Sequence, residues 1–436
     1  MSSGNIRLSR RSGSINCTIQ LTGSKSECNR ALIMQALSKG NVKVENVSTA
    51  ADTVTLNEIL KSQASDLRPR TSDLRPQASD LRPQTSDLRP QIDVGPAGTA
   101  MRFLTAFAAL QNGETTLTGT ERMKQRPIGI LAEALKTLGA AIEYTEKDGY
   151  PPLRITGPLK QKTNELSIQG NISSQYISAL LLIASSLPSG LKLTIGGELT
   201  SRPYVEMTLA MLEQAGIRYE WDDNVISIEN QPFTPSTIAV EPDWSAASYW
   251  YSIAALSAQA EIFLPGLNGY SLQGDSKITE IMANFGITSQ FKDGGVFLKK
   301  EPKPLLRKIF DFKECPDLAQ TVIVVCAALG HNATFTGLET LKIKETDRVK
   351  ALQDELGKIG VNLIEKNLTY KLDCSGLDLP EKLTVKTYED HRMAMAFAPL
   401  ALVIDEVEIE DHKVVEKSYP HYWDDLKKAG FEIKKI

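Results

Sequence analysis

The sequence predicts an α/β protein of six units of roughly βαβαββ type, grouped as two domains of three units each. Two spacings carry that expectation. A helix, a glycine and a β-rich stretch recur at LKTLGAAIEY, LEQAGIRYEW, MANFGITSQF, LGKIGVNLIE and LKKAGFEIKK; their glycines, Gly139, Gly216, Gly286, Gly360 and Gly430, lie 77, 70, 74 and 70 residues apart. An apolar helix followed by a short strand recurs six times, with strand ends Asn46, Gly119, Gly196, Pro265, Gly337 and Glu410 spaced 73, 77, 69, 72 and 73 apart. Each glycine suits the left-handed C-cap of its helix. Units this long exceed those of a linear solenoid, so two three-unit domains fit better.

The first unit is the irregular one. The glycine series has five members against six in the other, and the gap falls at residues 64–91, four tandem heptapeptides reading ASDLRPR TSDLRPQ ASDLRPQ TSDLRPQ. Proline in a helix interior costs about 3 kcal/mol, so this seven-residue period is no coiled coil. An extended surface loop, a tolerated expansion of a truncated first unit, is expected.

Composition excludes several classes. The chain has 436 residues, 42% hydrophobic and 23% charged, with net charge −4. A balance this mildly acidic argues against a nucleic-acid binder. No apolar run reaches the roughly 18 residues of a membrane helix, and the N-terminus lacks the apolar core of a secretory signal. Five scattered cysteines without a CxxC pair, and four histidines, predict neither a disulfide framework nor a metal centre. A cytoplasmic protein without metal is expected.

The apolar helices are entered through polar segments: GSKSECNR (23–30), GPAGTAMR (95–102), SSQY (173–176), PDWSAASY (242–249), CPDLAQT (315–321) and EDHRMAM (389–395). Helix N-termini offer free N–H groups and a positive dipole end, a ready anion site. Plain N-capping explains Asp243 and Ser245 as well as function does. It does not explain Lys25 and Arg30. RMKQRPIG (122–129) sets three cations ahead of a helix start, against the dipole; a solvated loop accounts for Arg122 and Lys124, less so for Arg126. KIKETDRV groups Lys344, Glu345 and Arg348, a run that an exposed salt-bridged face also produces. His391 and Arg392 open a strongly apolar helix, and Lys417 in EKSYP precedes another.

Taken in order, GSKSECNRALIMQAL, GPAGTAMRFL, RMKQRPIG, SSQYISALLL, SRPYVEMTL, PDLAQT, KIKETDRV, EDHRMAM and EKSYP resemble the 5-enolpyruvylshikimate-3-phosphate (EPSP) synthase family across the chain outside residues 64–91. The resemblance implies two inside-out α/β domains, one of residues 23–242 and one of residues 1–22 with 243–436, closing on substrate. It implies transfer of the enolpyruvyl group of phosphoenolpyruvate to the 5-hydroxyl of shikimate 3-phosphate, with release of phosphate and without a cofactor, by a monomer. Shikimate 3-phosphate would lie against Lys25, Ser26, Arg30, Ser173, Ser174, Gln175, Ser201, Arg202, Tyr204, Asp317 and Lys344. Phosphoenolpyruvate would lie against Lys25, Gly98, Arg126, Gln175, Arg348, Arg392 and Lys417. Asp317 would act as base, with Glu345 and Lys25 candidates for protonating C3.

Three positions depart from the family pattern. Pro96 stands where many members have Asn, and Thr340 and Glu389 stand where Asn is expected. Two rivals are weighed. UDP-N-acetylglucosamine enolpyruvyl transferases share the fold and donor, but carry a reactive cysteine in a loop of the N-terminal half, and this chain has none between Cys28 and Cys315. A catalytically dead scaffold that recruits a partner through the tract fits poorly with intact Lys25, Asp317, Glu345 and Arg392. Deleting residues 64–91 is expected to leave turnover nearly unchanged; a collapse of thermal stability on deletion would instead assign the tract a structural role.

Overall fold

A computed structural model describes residues 4–10, 13–66 and 91–436. Five four-stranded sheets and one two-stranded sheet form among these residues. One unit shows the plan. Strand Gln91–Asp93 leads into helix Gly98–Ala108 and strand Gly113–Thr118, then helix Gly129–Leu138 and the hairpin Ala141–Tyr144 with Leu153–Gly157. The first two strands pair in parallel (Ile92 with Leu117), and the hairpin closes the sheet in antiparallel fashion (Leu117 with Leu153). All five glycines of the spacing series have positive φ, from 71° to 115°. At Gly360 (φ +71°) a Cβ would stand 1.9 Å from the Gly376 carbonyl oxygen, so close approach demands glycine as much as the backbone angle does.

Within each unit the first helix is the apolar one, and it is buried almost whole. Every residue of Trp244–Leu256 except Ser245, and every residue of Ala319–Ala328, lies out of solvent. Sheets therefore face outward and helices pack inward, against one another. In the five units that carry the glycine series, the second helix ends at its glycine or within three residues of it.

The irregular first unit contains more than the spacing suggested. Its second helix is present, Ala51–Asp66, and runs into the first three residues of the heptapeptide tract, while Gln91 already begins a strand. Residues 67–90, on which the expected extended loop falls, lie outside the described residues. This unit's sheet pairs Val42–Glu45 in parallel with Ser236–Ala239, a strand contributed from far along the chain.

Apolar side chains gather in two clusters. One spans Cys28 to Val240; the other joins Ile6–Leu21 to residues from Trp244 to Phe431. The N-terminal strands explain the second. Ile6–Ser9 lies between Glu406–Ile409 and Glu432–Lys435, and Ile15–Thr18 runs parallel beside Ala260–Pro265. The chain passes between the clusters twice, and the two passages are bonded side by side. Asp243 N donates to Thr22 O at 3.0 Å and Ser24 N to Glu241 O at 2.7 Å, flanking a bridge between Gly23 and Pro242.

Glu27 is buried at this crossing, where its carboxylate accepts the Glu241 amide at 2.9 Å. Burial raises its pKa from 4.5 to about 8, only partly opposed by that hydrogen bond. The folded chain thus holds a proton there that the unfolded chain releases. Its contribution to stability is complete below pH 4.5 and is lost as the pH climbs towards 8. Across that window, urea titrations should show wild type losing stability relative to Glu27→Gln; parallel curves for the two proteins would refute the assignment.

Candidate active site

The six inner helices begin at one cleft. Lys25 and Ser26, Gly98 and Thr99, Ser174 and Gln175, Ser245, Asp317 just ahead of Ala319, and His391 with Arg392 all line it. Six helix starts thus aim positive dipole ends into a shared space. The capping residues hold these ends in place. Ser173 accepts from Gln175 N, Asp243 from Ala246 N and Asp390 from Arg392 N. Asp243 also accepts Lys25 N at 3.1 Å, so its cap spans the crossing.

On the wall formed by residues 243–436, charges are matched. Arg348 is 2% exposed and donates to Asp390 Oδ2 at 2.6 Å, Asp317 Oδ1 at 3.0 Å and Glu345 Oε2 at 2.8 Å. Arg348 is therefore no member of an exposed salt-bridged face. Arg392 Nη2 reaches Asp317 Oδ2 at 2.9 Å, and its Nη1 donates to Tyr249 Oη at 3.3 Å. Lys344 Nζ stands 3.9 Å from Asp317 Oδ1. Burial alone would raise the Asp317 pKa, but Arg392, Lys344 and Arg348 hold it well below the usual carboxylate range. Glu345 is depressed likewise: Lys417, Arg348 and Arg126 outweigh its burial. Both arginines are raised by these carboxylates despite burial.

The facing wall, from residues 23–242, is different. Arg30 donates to Ser26 O, Thr208 Oγ1, Ser178 Oγ and Tyr204 O, and Arg102 to Gly98 O and Pro127 O. Their hydrogen-bond partners are neutral, and burial lowers each to about 10. Lys25 Nζ meets Asp52 Oδ2 at 3.2 Å, and Arg126 Nη1 lies 3.8 Å from Glu345 Oε1 across the cleft. Gly98 makes room for Arg126, since a Cβ there would stand 2.5 Å from Nη1. Uncompensated buried cations on one wall and saturated ones on the other suit a ligand with several negative groups.

Of the residues expected to bind substrate, all but two line this cleft. Lys417 lines an adjoining pocket that shares Asp52, Arg126 and Glu345 with the cleft, with Nζ 3.4 Å from Glu345 Oε1, 3.7 Å from Asp52 Oδ1 and donating to Pro96 O at 2.6 Å. Arg202 corrects its expectation. It opens helix Arg202–Gln214 just after Ser201, whose φ is +55°, and this turn faces Ser201 and Tyr204 inward but Arg202 outward. Its guanidinium is half exposed, pairs with Glu206 at 2.7 Å and stacks over Trp221 at 4.5 Å. Tyr204 Oη donates to Asp317 Oδ2 at 3.5 Å, and burial raises its pKa well above 10. His391 is no cation either: burial and nearby Lys25 hold its pKa well below 6.5.

Sequence reasoning missed Asp52, Arg102, Tyr249 and Asp390. Arg102 follows Gly98 by one helical turn, a signal that was available. Asp390 is both a cap and the partner of Arg348; Asp52, near the start of an amphipathic helix, carried no signal. Of the three departures, Pro96 supplies its carbonyl to Lys417, and Thr340 lines the cleft with its buried hydroxyl unbonded. Glu389 adopts φ +57°, a conformation that Asn tolerates better.

The chain is similar to known proteins over nearly its whole length. The family model described as EPSP synthase (3-phosphoshikimate 1-carboxyvinyltransferase) matches residues 9–426. A Bacteroides fragilis protein named 3-phosphoshikimate 1-carboxyvinyltransferase is 47% identical over 424 residues, 96% of this chain and 97% of its own. One of the same name from Vibrio campbellii is 34% identical over 414 residues, 94% of this chain and 96% of its own. Among solved structures, EPSP synthase from Acinetobacter baumannii aligns with TM-score 0.74 at 19% identity, covering 99% of this chain and 100% of that one. The enolpyruvyl transferase NikO from Streptomyces tendae aligns with TM-score 0.71 at 14% identity, covering 100% and 99%.

Gly98→Ala should push the Arg126 guanidinium aside. Titration calorimetry with inorganic phosphate is expected to register a loss of about tenfold or more, one charged hydrogen bond of roughly 1.5 kcal/mol, with an unchanged melting temperature. Equal phosphate affinity in both proteins would show that Arg126 adapts.

Proposed function

The chain belongs to the EPSP synthase family, and we propose that the cleft described above is where it works, with the charged groups in the following roles. Its activity is transfer of the enolpyruvyl group of phosphoenolpyruvate to the 5-hydroxyl of shikimate 3-phosphate, a step of the shikimate pathway. That reading prevails over a UDP-N-acetylglucosamine enolpyruvyl transferase and over a dead scaffold. Among the described residues no helix is long and apolar enough to cross a membrane. Both walls come from one chain, so a monomer suffices, and the cytoplasm is its expected setting.

In this reading Lys25, Ser26, Arg30, Ser173, Ser174, Gln175, Ser201, Tyr204 and Lys344 hold shikimate 3-phosphate. Gly98, Arg126, Gln175, Arg348, Arg392 and Lys417 hold phosphoenolpyruvate, with Lys25 between the two. Segment 23–242 closes on the remainder about the crossings near residues 22 and 243. Asp317 takes the proton from the 5-hydroxyl while that oxygen bonds to C2 and C3 gains a proton. The tetrahedral adduct then expels phosphate, and C3 gives its proton back.

The observation that carries this reading is Asp317 clamped between Arg348 and Arg392, opposite uncompensated cations. A carboxylate so clamped is a poor base. Arriving phosphate and carboxylate groups compete for those same guanidinium N–H groups, loosen the clamp and raise the Asp317 pKa where the hydroxyl needs a base. The same exchange frees Glu345. Lys25 and Glu345 are the two candidates for the proton delivered to C3.

Purified protein should release phosphate only when both substrates are supplied. Asp317→Asn should lower kcat by roughly 10²–10⁴-fold, the usual worth of a positioned base. Phosphate release with UDP-N-acetylglucosamine in place of shikimate 3-phosphate would overturn the assignment, and full activity in Asp317→Asn would remove Asp317 from the role of base.

A further inference from the structure

The sequence leaves Arg122 open between a cation that serves an anion and one of a solvated loop. Its surroundings are more specific. It lies on the short helix Glu121–Lys124, capped by Thr120, on the wall built by residues 23–242. From there its guanidinium crosses to the other wall, where Nε donates to Glu345 O at 2.9 Å and Nη2 to Lys344 O at 3.2 Å. Nη1 donates back to Gln125 Oε1 at 3.4 Å, which steadies the fork.

The two carbonyls belong to consecutive residues whose side chains both face the cleft. Lys344 stands beside Asp317, and Glu345 meets Arg126, Arg348 and Lys417. Their backbone lies between a 3₁₀ turn, Glu339–Ile343, and the helix that starts at Arg348, so no regular element fixes these two peptides. A planar guanidinium can engage two neighbouring carbonyls at once, which a single ammonium does less well. The contact also exists only while the two walls are together.

We propose that Arg122 is a positioning residue, a clasp across the cleft that couples closure to the placement of Lys344 and Glu345. It touches no reacting atom and acts through those two peptides. The catalytic consequence rests on the function proposed above; the clasp itself does not.

Two measurements test it. Hydrogen exchange of ligand-free Arg122→Ala should speed up at the amides of residues 344–348 while the strand Ala260–Pro265, in another sheet, keeps its protection; unchanged exchange at 344–348 would overturn the clasp. In steady-state assays Arg122→Ala should lose about tenfold or more in kcat, as a displacement of catalytic groups by a fraction of an ångström would cause, with KM for shikimate 3-phosphate raised and the melting temperature unchanged. Arg122→Lys should recover part of the loss. Wild-type kcat in Arg122→Ala would overturn the coupling to catalysis while leaving the reaction assignment intact, whereas an inactive wild type would count against the reaction assignment and leave the exchange result standing.

Discussion

One guanidinium holds the reactive wall together. Arg348 ties Asp390, Asp317 and Glu345, which come from the cap of one apolar helix, the turn before another and the turn before its own. Removing one partner from such a buried network leaves charge without compensation, at a typical cost of about 3–5 kcal/mol. The three carboxylates can lie this close because Arg348, Arg392, Lys344 and Lys417 share them. The rest of the fold can be seen as the means of bringing these groups, scattered over residues 317–417, to one point.

The opposite wall follows another rule. Arg30 and Arg102 are satisfied by carbonyl and hydroxyl oxygens, which fix their geometry without cancelling their charge. A site for polyanions needs both kinds of cation. Uncompensated ones attract the ligand; compensated ones exchange a protein carboxylate for a ligand oxygen and so report its arrival to that carboxylate. In the proposed function Asp317, bonded by two arginines, is where that exchange has chemical effect.

How much of this was legible follows from the range of each interaction. Gly139, Gly216, Gly286, Gly360 and Gly430 announced the repeat because a helix C-cap is a local demand, and all five have positive φ. The entry segments pointed to Lys25, Arg30 and Arg392 for a similar reason, whereas Gly98 and Asp317 were implied by the family resemblance. Pairings through space left no local trace. Nothing near Asp52 foretells Lys417, which lies 3.7 Å away, and nothing in RMKQRP foretells that Arg122 reaches Glu345. Arg202 misled because its motif fixes neighbours that face inward, whereas Glu206 one turn later draws it out. The second helix of the first unit was hidden by the low-complexity tract that follows it.

The placement of the N-terminal strand sets the order in which the molecule can assemble. Ile6 pairs with Ile409 and with Lys435, so this strand waits for partners made much later in synthesis. The core from Cys28 to Val240 draws nearly all its apolar side chains from that span, with Leu272 packing against it from outside, and can condense during synthesis. The wall bearing Asp317 and Arg348 cannot finish its outer sheet until Glu432–Lys435 has emerged. During that interval Ile6–Ser9 is an unpaired edge, the kind of surface that invites pairing with another molecule. Its sequence, IRLS, keeps a charge at the second position, a modest safeguard for a strand that must stay single until its partners are made.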